Sequence, residues 1–359
     1  MSQDNPFGDR KGLEVNVTIE PPSHLRATAA KVSVANVPFG DPMLSFRIDR
    51  QKRYIFFDIG AFSQVSARVA HQITDIFITH AHVDHLCGFP WLLGRRINSK
   101  EPCRMYGPPG LAQHVSAMMT AFIWDRVGDG APRFDVAEIY GDHLRWTSFQ
   151  VGHSEGTPGE NTPIQNGILL KDPLFLVRTT TLDHGIPVQA YSFEESTRYS
   201  ADPEKIKAHQ LTPGAWISEL QRRVLAEDWE HVLALPDGSE HDVRSLSEKV
   251  LASSPGQKIV YTTDFGDTPE NRSKVVSFAQ KADIFICETS YLDEDSDHAE
   301  RTGHMTAKAC GEMAQAAQVH SVLPFHFSNR YVEHPERLYQ EVHSIFANTL
   351  LPPTLSLEK

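Results

Sequence analysis

The chain has 359 residues, with 34 Lys and Arg against 46 Asp and Glu, a formal net charge of −12, and 40% hydrophobic and 22% charged residues. This is the balance of a folded protein and not of a disordered one, and no apolar run approaches the roughly 20 residues that a membrane-spanning helix needs. The acidic total argues against coating nucleic acid by bulk charge, although a bound metal pair or a local basic patch reverses the sign at a single site.

Residues 1–25 are polar and proline-containing, with one predicted strand, LEVNVTI (13–19), and no apolar signal core. Cys87, Cys103, Cys287 and Cys310 are too few and too scattered for a disulfide framework or a CxxC zinc site. The expectation is a cytoplasmic protein with no membrane partner. From about residue 42 the pattern is short apolar runs that end in polar or turn residues: MLSFRI (43–48), YIFFDIG (54–60) and DIFITH (75–80). Similar runs recur as LFLVRTTTLDH (174–184), KIVYTTDFGD (258–267), DIFICETS (283–290) and SVLPFHFS (321–328). Their length and their Ile, Phe and Tyr content suit buried strands. Helices are predicted between them, in SARVAHQI (66–73), GPPGLAQHVSAMMTAFIW (107–124) and TAKACGEMAQAAQ (306–318), the last capped by Thr306. This alternation predicts a layered α/β architecture. No linker divides it, so residues 1–359 read as one domain. Two stretches read as insertions: 151–172, rich in Gly, Pro and Asn, as a surface loop, and 195–255 as a protruding arm.

The sharpest chemical signal is His80-Ala81-His82-Val83-Asp84-His85, directly after the run DIFIT. Three imidazoles and a carboxylate within six residues at a strand end offer four metal ligands, and Zn²⁺ accepts both donor types readily. His184, Asp264 and His326 each close a later apolar run, and open α/β sheets gather their ligands at strand ends. One cation would take His80, His82 and His184. The second would take Asp84, His85 and His326, with Asp264 bridging. Asp58, after YIFF, is expected to organise the metal loop without ligating. His153 competes with His184, and Asp267 with Asp264, but both competitors lie in loop-like surroundings.

The blocks FFDIG with Asp58 and Gly60, IFITHAHVDHLCGFPWLL, YGPPGL (106–111), LDHGIPVQAY (182–191), VYTTDFGDT, ETS with Glu288, GHMTA with His304, and FHFSNRY (325–331) occur in this order. Together they resemble the metallo-β-lactamase superfamily and, within it, ribonuclease Z, the endonuclease that matures tRNA 3′ ends. The resemblance implies a four-layer αβ/βα sandwich of two mixed β-sheets flanked by helices, with a dimetal site at one edge, and it suggests a homodimer. It also implies proton-transfer roles for Asp84 and His304, and contact of Arg330 with a substrate phosphate, with Ser328 close by.

Chemistry gives independent grounds for these roles. A metal pair about 3.5–4 Å apart holds both nucleophile and phosphoryl oxygen in an in-line displacement, and coordination brings a water's pKa to about 7, so that hydroxide is available to attack phosphorus. His304 is then placed to protonate the departing ribose 3′-oxygen, Glu288 to orient that ring, and Arg330 to offer a planar fork to the non-bridging oxygens. Two zinc ions are the expected cofactors, with Mn²⁺ or Fe²⁺ acceptable to the same shell.

Two features depart from ribonuclease Z. The N-terminal region lacks the Gly-Thr-Gly turn and the Pro…Arg-Asn segment that bacterial members carry. The interval between His184 and Asp264 is long enough for a tRNA-gripping arm, but its core, DPEKIKAHQLTPGAWISELQRRV (202–224), has Lys205, Lys207, Arg222 and Arg223 against Asp202, Glu204 and Glu219, and AEDWEH cancels that excess. Phosphate neutralisation supplies most of the affinity for RNA. The preserved blocks, HFSNRY among them, favour pre-tRNA, cut at the 3′ trailer, as the expected substrate, whereas the acidic charge, the missing N-terminal segment and the diluted arm favour the alternative, a small phosphodiester, such as a cyclic nucleotide, or another ester on the same scaffold. A third reading, a metal-binding scaffold without catalysis that serves a partner protein, fits less well with an intact ligand set.

Overall fold

A computed structural model describes residues 30–35, 38–48, 51–153 and 155–351. The strand expected at 13–19 and the N-terminal departure before residue 30 lie outside the described residues. Strands β1 (Ala30–Ala35), β2 (Met43–Ile48), β3 (Arg53–Phe57), β4 (Ile73–Phe77), β5 (Cys103–Gly107), β6 (Arg133–Tyr140) and β7 (His143–Gln150) pair in chain order. Two short strands, β8 (Thr157–Pro158) and β9 (Thr162–Pro163), both add to β7. The stretch 151–172 thus carries these two pieces and all of β10 (Ile168–Lys171), which begins the second sheet.

That sheet continues with β11 (Phe175–Asp183) and β12 (Pro187–Glu195). The chain then builds a small separate unit. Strand β13 (Arg198–Ala201) leads through two helices, Pro203–Ala208 and Trp216–Leu225, to the hairpin β14 (Val232–Ala234) and β15 (Glu240–Asp242). Helix Val243–Val250 follows, and β16 (Leu251–Ser254) closes the unit by pairing with β13. Ile206, Trp216, Leu220, Leu233, Val243 and Leu246 form an apolar cluster of its own. The Glu195 amide donates to the Gln257 carbonyl (2.8 Å), so the unit leaves and re-enters the sheet at one point. Strands β17 (Lys258–Thr262), β18 (Ile284–Glu288) and β19 (Ser321–Phe325) complete the second sheet, in the order β10-β11-β12-β17-β18-β19.

Both sheets are mixed. Strands β3 to β6 run parallel in the first, β17 to β19 in the second, and the remaining pairs are antiparallel. Parallel strands covered on both faces are continuously apolar, and IFICE and SVLPF are buried at every position. The sheets meet face to face: Ile55, Phe57, Phe77 and Tyr106 pack with Phe175, Phe193, Tyr261 and Phe325, and Phe46 stacks on Phe193 at 4.3 Å between ring centroids.

On the outer face of the first sheet, helices Phe89–Arg95 and Leu111–Thr120 bury Phe89, Leu92, Leu111 and Val115. On the second, helices Pro269–Phe278, Ala307–Ala316 and Glu336–Ile345 bury Val275, Met313 and Leu338. Thr306 caps its helix as expected, accepting from the Ala309 amide at 3.2 Å. The result is helix, sheet, sheet, helix: the four-layer sandwich that the sequence predicts. No described helix is long and apolar enough to cross a membrane.

Candidate metal centre

Carboxyl ends of parallel strands from both sheets supply the site, as open α/β sheets generally do. Asp58 follows β3, the 80–85 motif follows β4, Asp264 follows β17, Glu288 ends β18 and His326 follows β19. Asp58, Asp264 and His326 all take left-handed backbone conformations, with φ of 51°, 51° and 58°. Such conformations cost roughly 1–3 kcal/mol in a residue with a side chain and persist where the surroundings dictate them. Here each falls just past a strand end, at the point where its side chain enters the polar cluster.

Tight backbone packing seats the motif. A Cβ added to Gly60 would lie 1.8 Å from the Asp84 carbonyl oxygen, and one added to Gly88 would lie 1.8 Å from that of Ile59. The Ile59 amide donates to the His85 carbonyl at 3.0 Å. Only glycine permits two loops to lie this close.

The structure brings all seven expected ligands together. Ligand atoms of His80, His82, His184 and Asp264 lie within 4.8 Å of one another, and so do those of Asp84, His85, Asp264 and His326. Asp264 belongs to both groups. Its Oδ2 is 2.9 Å from His85 Nε2 and 3.4 Å from His80 Nε2, and its Oδ1 is 3.3 Å from His326 Nδ1. Asp84 Oδ2 lies 3.2 Å from His326 Nε2 and 3.3 Å from His85 Nε2. Of the two rivals, His153 is exposed and joins no such group among the described residues, and Asp267 is engaged by Arg272, whose Nη2 is 2.8 Å away.

Hydrogen bonds behind the ligands fix which ring nitrogen is free, since the nitrogen that donates elsewhere cannot ligate. His85 donates from Nδ1 to Asp58 (2.9 Å), and His184 from Nδ1 to the Gly303 carbonyl (2.7 Å). Both leave Nε2 toward the cluster. Asp58, fully buried, also accepts from the Thr79 amide (2.8 Å) and the Tyr261 hydroxyl (2.8 Å). Thr79, Tyr261 and Gly303 escape the sequence reading. For Tyr261 a signal exists: a phenol in an otherwise apolar buried strand needs a partner for its hydroxyl.

The electrostatics follow from crowding acids and imidazoles in a buried space. Burial works against the charged forms, yet hydrogen bonds from His326 and His85 hold Asp84 well below the usual carboxylate range. Burial likewise pulls His85 down, but Asp58 and Asp264 on either side of its ring hold it well above the ordinary imidazole value. Those same carboxylates favour a divalent cation in the same place. His80 Nε2 is buried without a hydrogen-bond partner, which leaves a costly orphan unless an ion takes its lone pair. The donor set therefore fits a pair of divalent cations: nitrogen and carboxylate oxygen, with one carboxylate common to both groups.

His304 borders this cluster, its Nδ1 3.9 Å from Asp264 Oδ1 and 2.8 Å from Glu288 Oε2. Glu288 is fully buried and accepts from the Phe265 amide (2.6 Å) and the Ser290 hydroxyl (2.9 Å). Burial lowers the His304 pKa, but the Glu288 charge and hydrogen bond outweigh it and hold the ring at about 9. Arg330 is half-exposed and pairs with Asp295 at 2.6 Å, beside the Tyr291 ring. Ser328 accepts from the Arg330 amide at 3.4 Å. Cys87, near the motif, is no ready thiolate: burial and Asp41 push it up to about 11.

A two-sheet sandwich with a His/Asp cluster at the strand ends is the architecture of a metal-binding hydrolase, and the family model of the metallo-β-lactamase superfamily matches residues 70–209 of the chain. Among individual relatives, the chain is 29% identical to the ribonuclease Z of Pyrococcus furiosus over 322 residues, covering 87% of this chain and 86% of that one. It is 29% identical to the ribonuclease BN of Cronobacter sakazakii over 281 residues, covering 77% and 78%. The metallo-β-lactamase fold protein YhfI of Bacillus subtilis superposes with a TM-score of 0.52 at 15% identity, covering 89% of this chain and 94% of that one, which is a likeness of fold.

Proposed function

We propose that the protein is a dimetal phosphodiesterase of the ribonuclease Z type that cuts RNA at the 3′ trailer of pre-tRNA, as a cytoplasmic homodimer. The observation that carries this reading is similarity to ribonuclease Z over 87% of the chain, well beyond the 70–209 span common to the superfamily. His80, His82, His184 and Asp264 would hold one cation, and Asp84, His85, Asp264 and His326 the other. When bound, such a pair polarises a phosphoryl oxygen and lowers the pKa of a water, whether the metal is zinc, manganese or iron.

The side chains do the rest. Asp84, with a side chain one-third exposed, orients the attacking water and receives its proton. His304 donates from Nε2 to the departing 3′-oxygen while Glu288 grips Nδ1. Arg330 exchanges Asp295 for a phosphate oxygen, a bidentate partner that a guanidinium favours, and the Ser328 hydroxyl lies next to that exchange.

One observation favours a smaller phosphodiester. Arg222 and Arg223 of the 198–254 unit both pair with Glu219, Arg223 pairs again with Asp228, and Lys205 donates to the Leu251 carbonyl at 2.7 Å. Cations engaged in this way contribute little to gripping a phosphate backbone. The test compares a pre-tRNA with bis(4-nitrophenyl) phosphate on zinc-loaded protein. Accurate release of the 3′ trailer supports the nuclease reading. Fast turnover of the small ester, with no binding of pre-tRNA at moderate salt, transfers the function to the alternative.

A further inference from the structure

Two tyrosines of the second sheet reach across the sandwich to the roots of the metal loops. Tyr191 on β12 and Tyr261 on β17 lie directly opposite each other in the antiparallel register of those strands. Both are buried, and both rings pack on Phe57 of the first sheet, at 5.6 and 6.3 Å between centroids. Their hydroxyls then part. Tyr191 donates to the Ile78 carbonyl at 2.7 Å, and Tyr261 to Asp58 Oδ2 at 2.8 Å. A phenol within an aromatic layer needs a partner for its hydroxyl, and here both partners belong to the opposite sheet.

Backbone accounting shows what the Ile78 contact does. The pairing of β4 with its neighbours ends at Phe77, so Ile78 and Thr79 carry the chain from the ladder to His80. The Ile78 amide donates to the Tyr106 carbonyl (2.7 Å) and the Thr79 amide to Asp58 Oδ1 (2.8 Å), both within the first sheet. The two carbonyls are satisfied from the second sheet: that of Ile78 by the Tyr191 hydroxyl, and that of Thr79 by the Gln189 amide at 2.9 Å. Buried backbone groups require such partners, so β12 fixes where the chain turns into His80 and His82. The hairpin that β12 forms with β11 carries His184 in its turn. Tyr191 thus ties the root of two ligands of the first cation to the strand that follows the third. Tyr261 ties the strand that leads to Asp264 to Asp58, whose Oδ2 also holds His85 Nδ1 at 2.9 Å. His85 belongs to the second ligand group and not to the first.

We propose that Tyr191 and Tyr261 are positioning residues, each serving one cation: Tyr191 the site of His80, His82 and His184, and Tyr261 the site of Asp84, His85 and His326. This rests on the dimetal reading and adds to it a separate control on each ion, built into the second sheet.

The substitutions Tyr191→Phe and Tyr261→Phe each remove one hydroxyl and keep the ring. Crystals of the full chain and of each variant are equilibrated with zinc buffered at stepped free concentrations, and the occupancy of each site is read from anomalous diffraction. Tyr191→Phe should weaken zinc binding beside His184 about tenfold and leave that beside His326 within about twofold, the loss expected when a group behind a ligand is removed. Tyr261→Phe should do the reverse. Because the two changes are alike in chemistry and burial, a merely structural role would move both sites equally in both variants. That result, or no change at either site, overturns the proposal. Each variant carries the test alone, should the other fail to fold. A parent chain that takes up fewer than two ions overturns the dimetal reading and this proposal with it; two ions with equal responses overturn the proposal alone.

Discussion

Asp58 accepts hydrogen bonds from Thr79, His85 and Tyr261 without itself belonging to either ligand group. It sets the orientation of His85 and so the direction of that ring's free nitrogen. Substitution of such a residue weakens metal binding without removing a ligand. Asp58→Asn should lower zinc affinity about 10- to 100-fold, measured by competition with a chelator. Unaltered affinity would make Asp58 a core acid and nothing more. His304 presents the opposite case. His304→Ala should slow phosphodiester cleavage by roughly 10²–10⁴-fold, the usual span for general acid catalysis, with the zinc content unchanged by elemental analysis. Loss of metal in step with rate would make this histidine structural.

The elements work by closeness. The loop after β3 and the metal loop after β4 meet where Gly60 has no side chain, and any Cβ there collides with the Asp84 backbone. Gly60→Ala should destabilise the protein by more than about 2 kcal/mol in denaturant unfolding and weaken metal binding. Gly94 gives the control. It lies exposed in helix Phe89–Arg95, and a Cβ added there would meet nothing within 4 Å, so Gly94→Ala should be neutral or stabilising by up to about 1 kcal/mol. Equal effects at the two positions would show that helix propensity, and not contact between the loops, governs both.

Much of this level is legible in the sequence, for a physical reason. Each ligand outside the 80–85 motif closes an apolar run, and period and composition reveal where a buried strand stops. What pairs across space is not legible. Nothing local to Tyr261 announces Asp58, more than 200 residues away, and nothing in Gly303 announces His184. The pieces at 157–158 and 162–163 escape notice because two-residue strands have no pattern to read.

At the scale of the whole molecule, the sandwich and the 198–254 unit have separate apolar clusters joined at one point in the sheet. Replacing 198–254 by a short Gly-Ser linker should leave a folded sandwich that still binds zinc and turns over bis(4-nitrophenyl) phosphate. Under the nuclease reading, pre-tRNA cleavage by that shortened chain should fall at least tenfold relative to the small ester. An unchanged ratio would remove the unit from substrate recognition. Two sheets converging at their carboxyl ends explain why ligands from residues 80 to 326 can meet at all.

The most direct measurement is diffraction at the zinc absorption edge from crystals of the zinc-loaded chain. The account predicts two neighbouring anomalous peaks joined by Asp264, one against His80, His82 and His184, the other against Asp84, His85 and His326. A single peak, or peaks that leave Asp264 or His326 uninvolved, would contradict it.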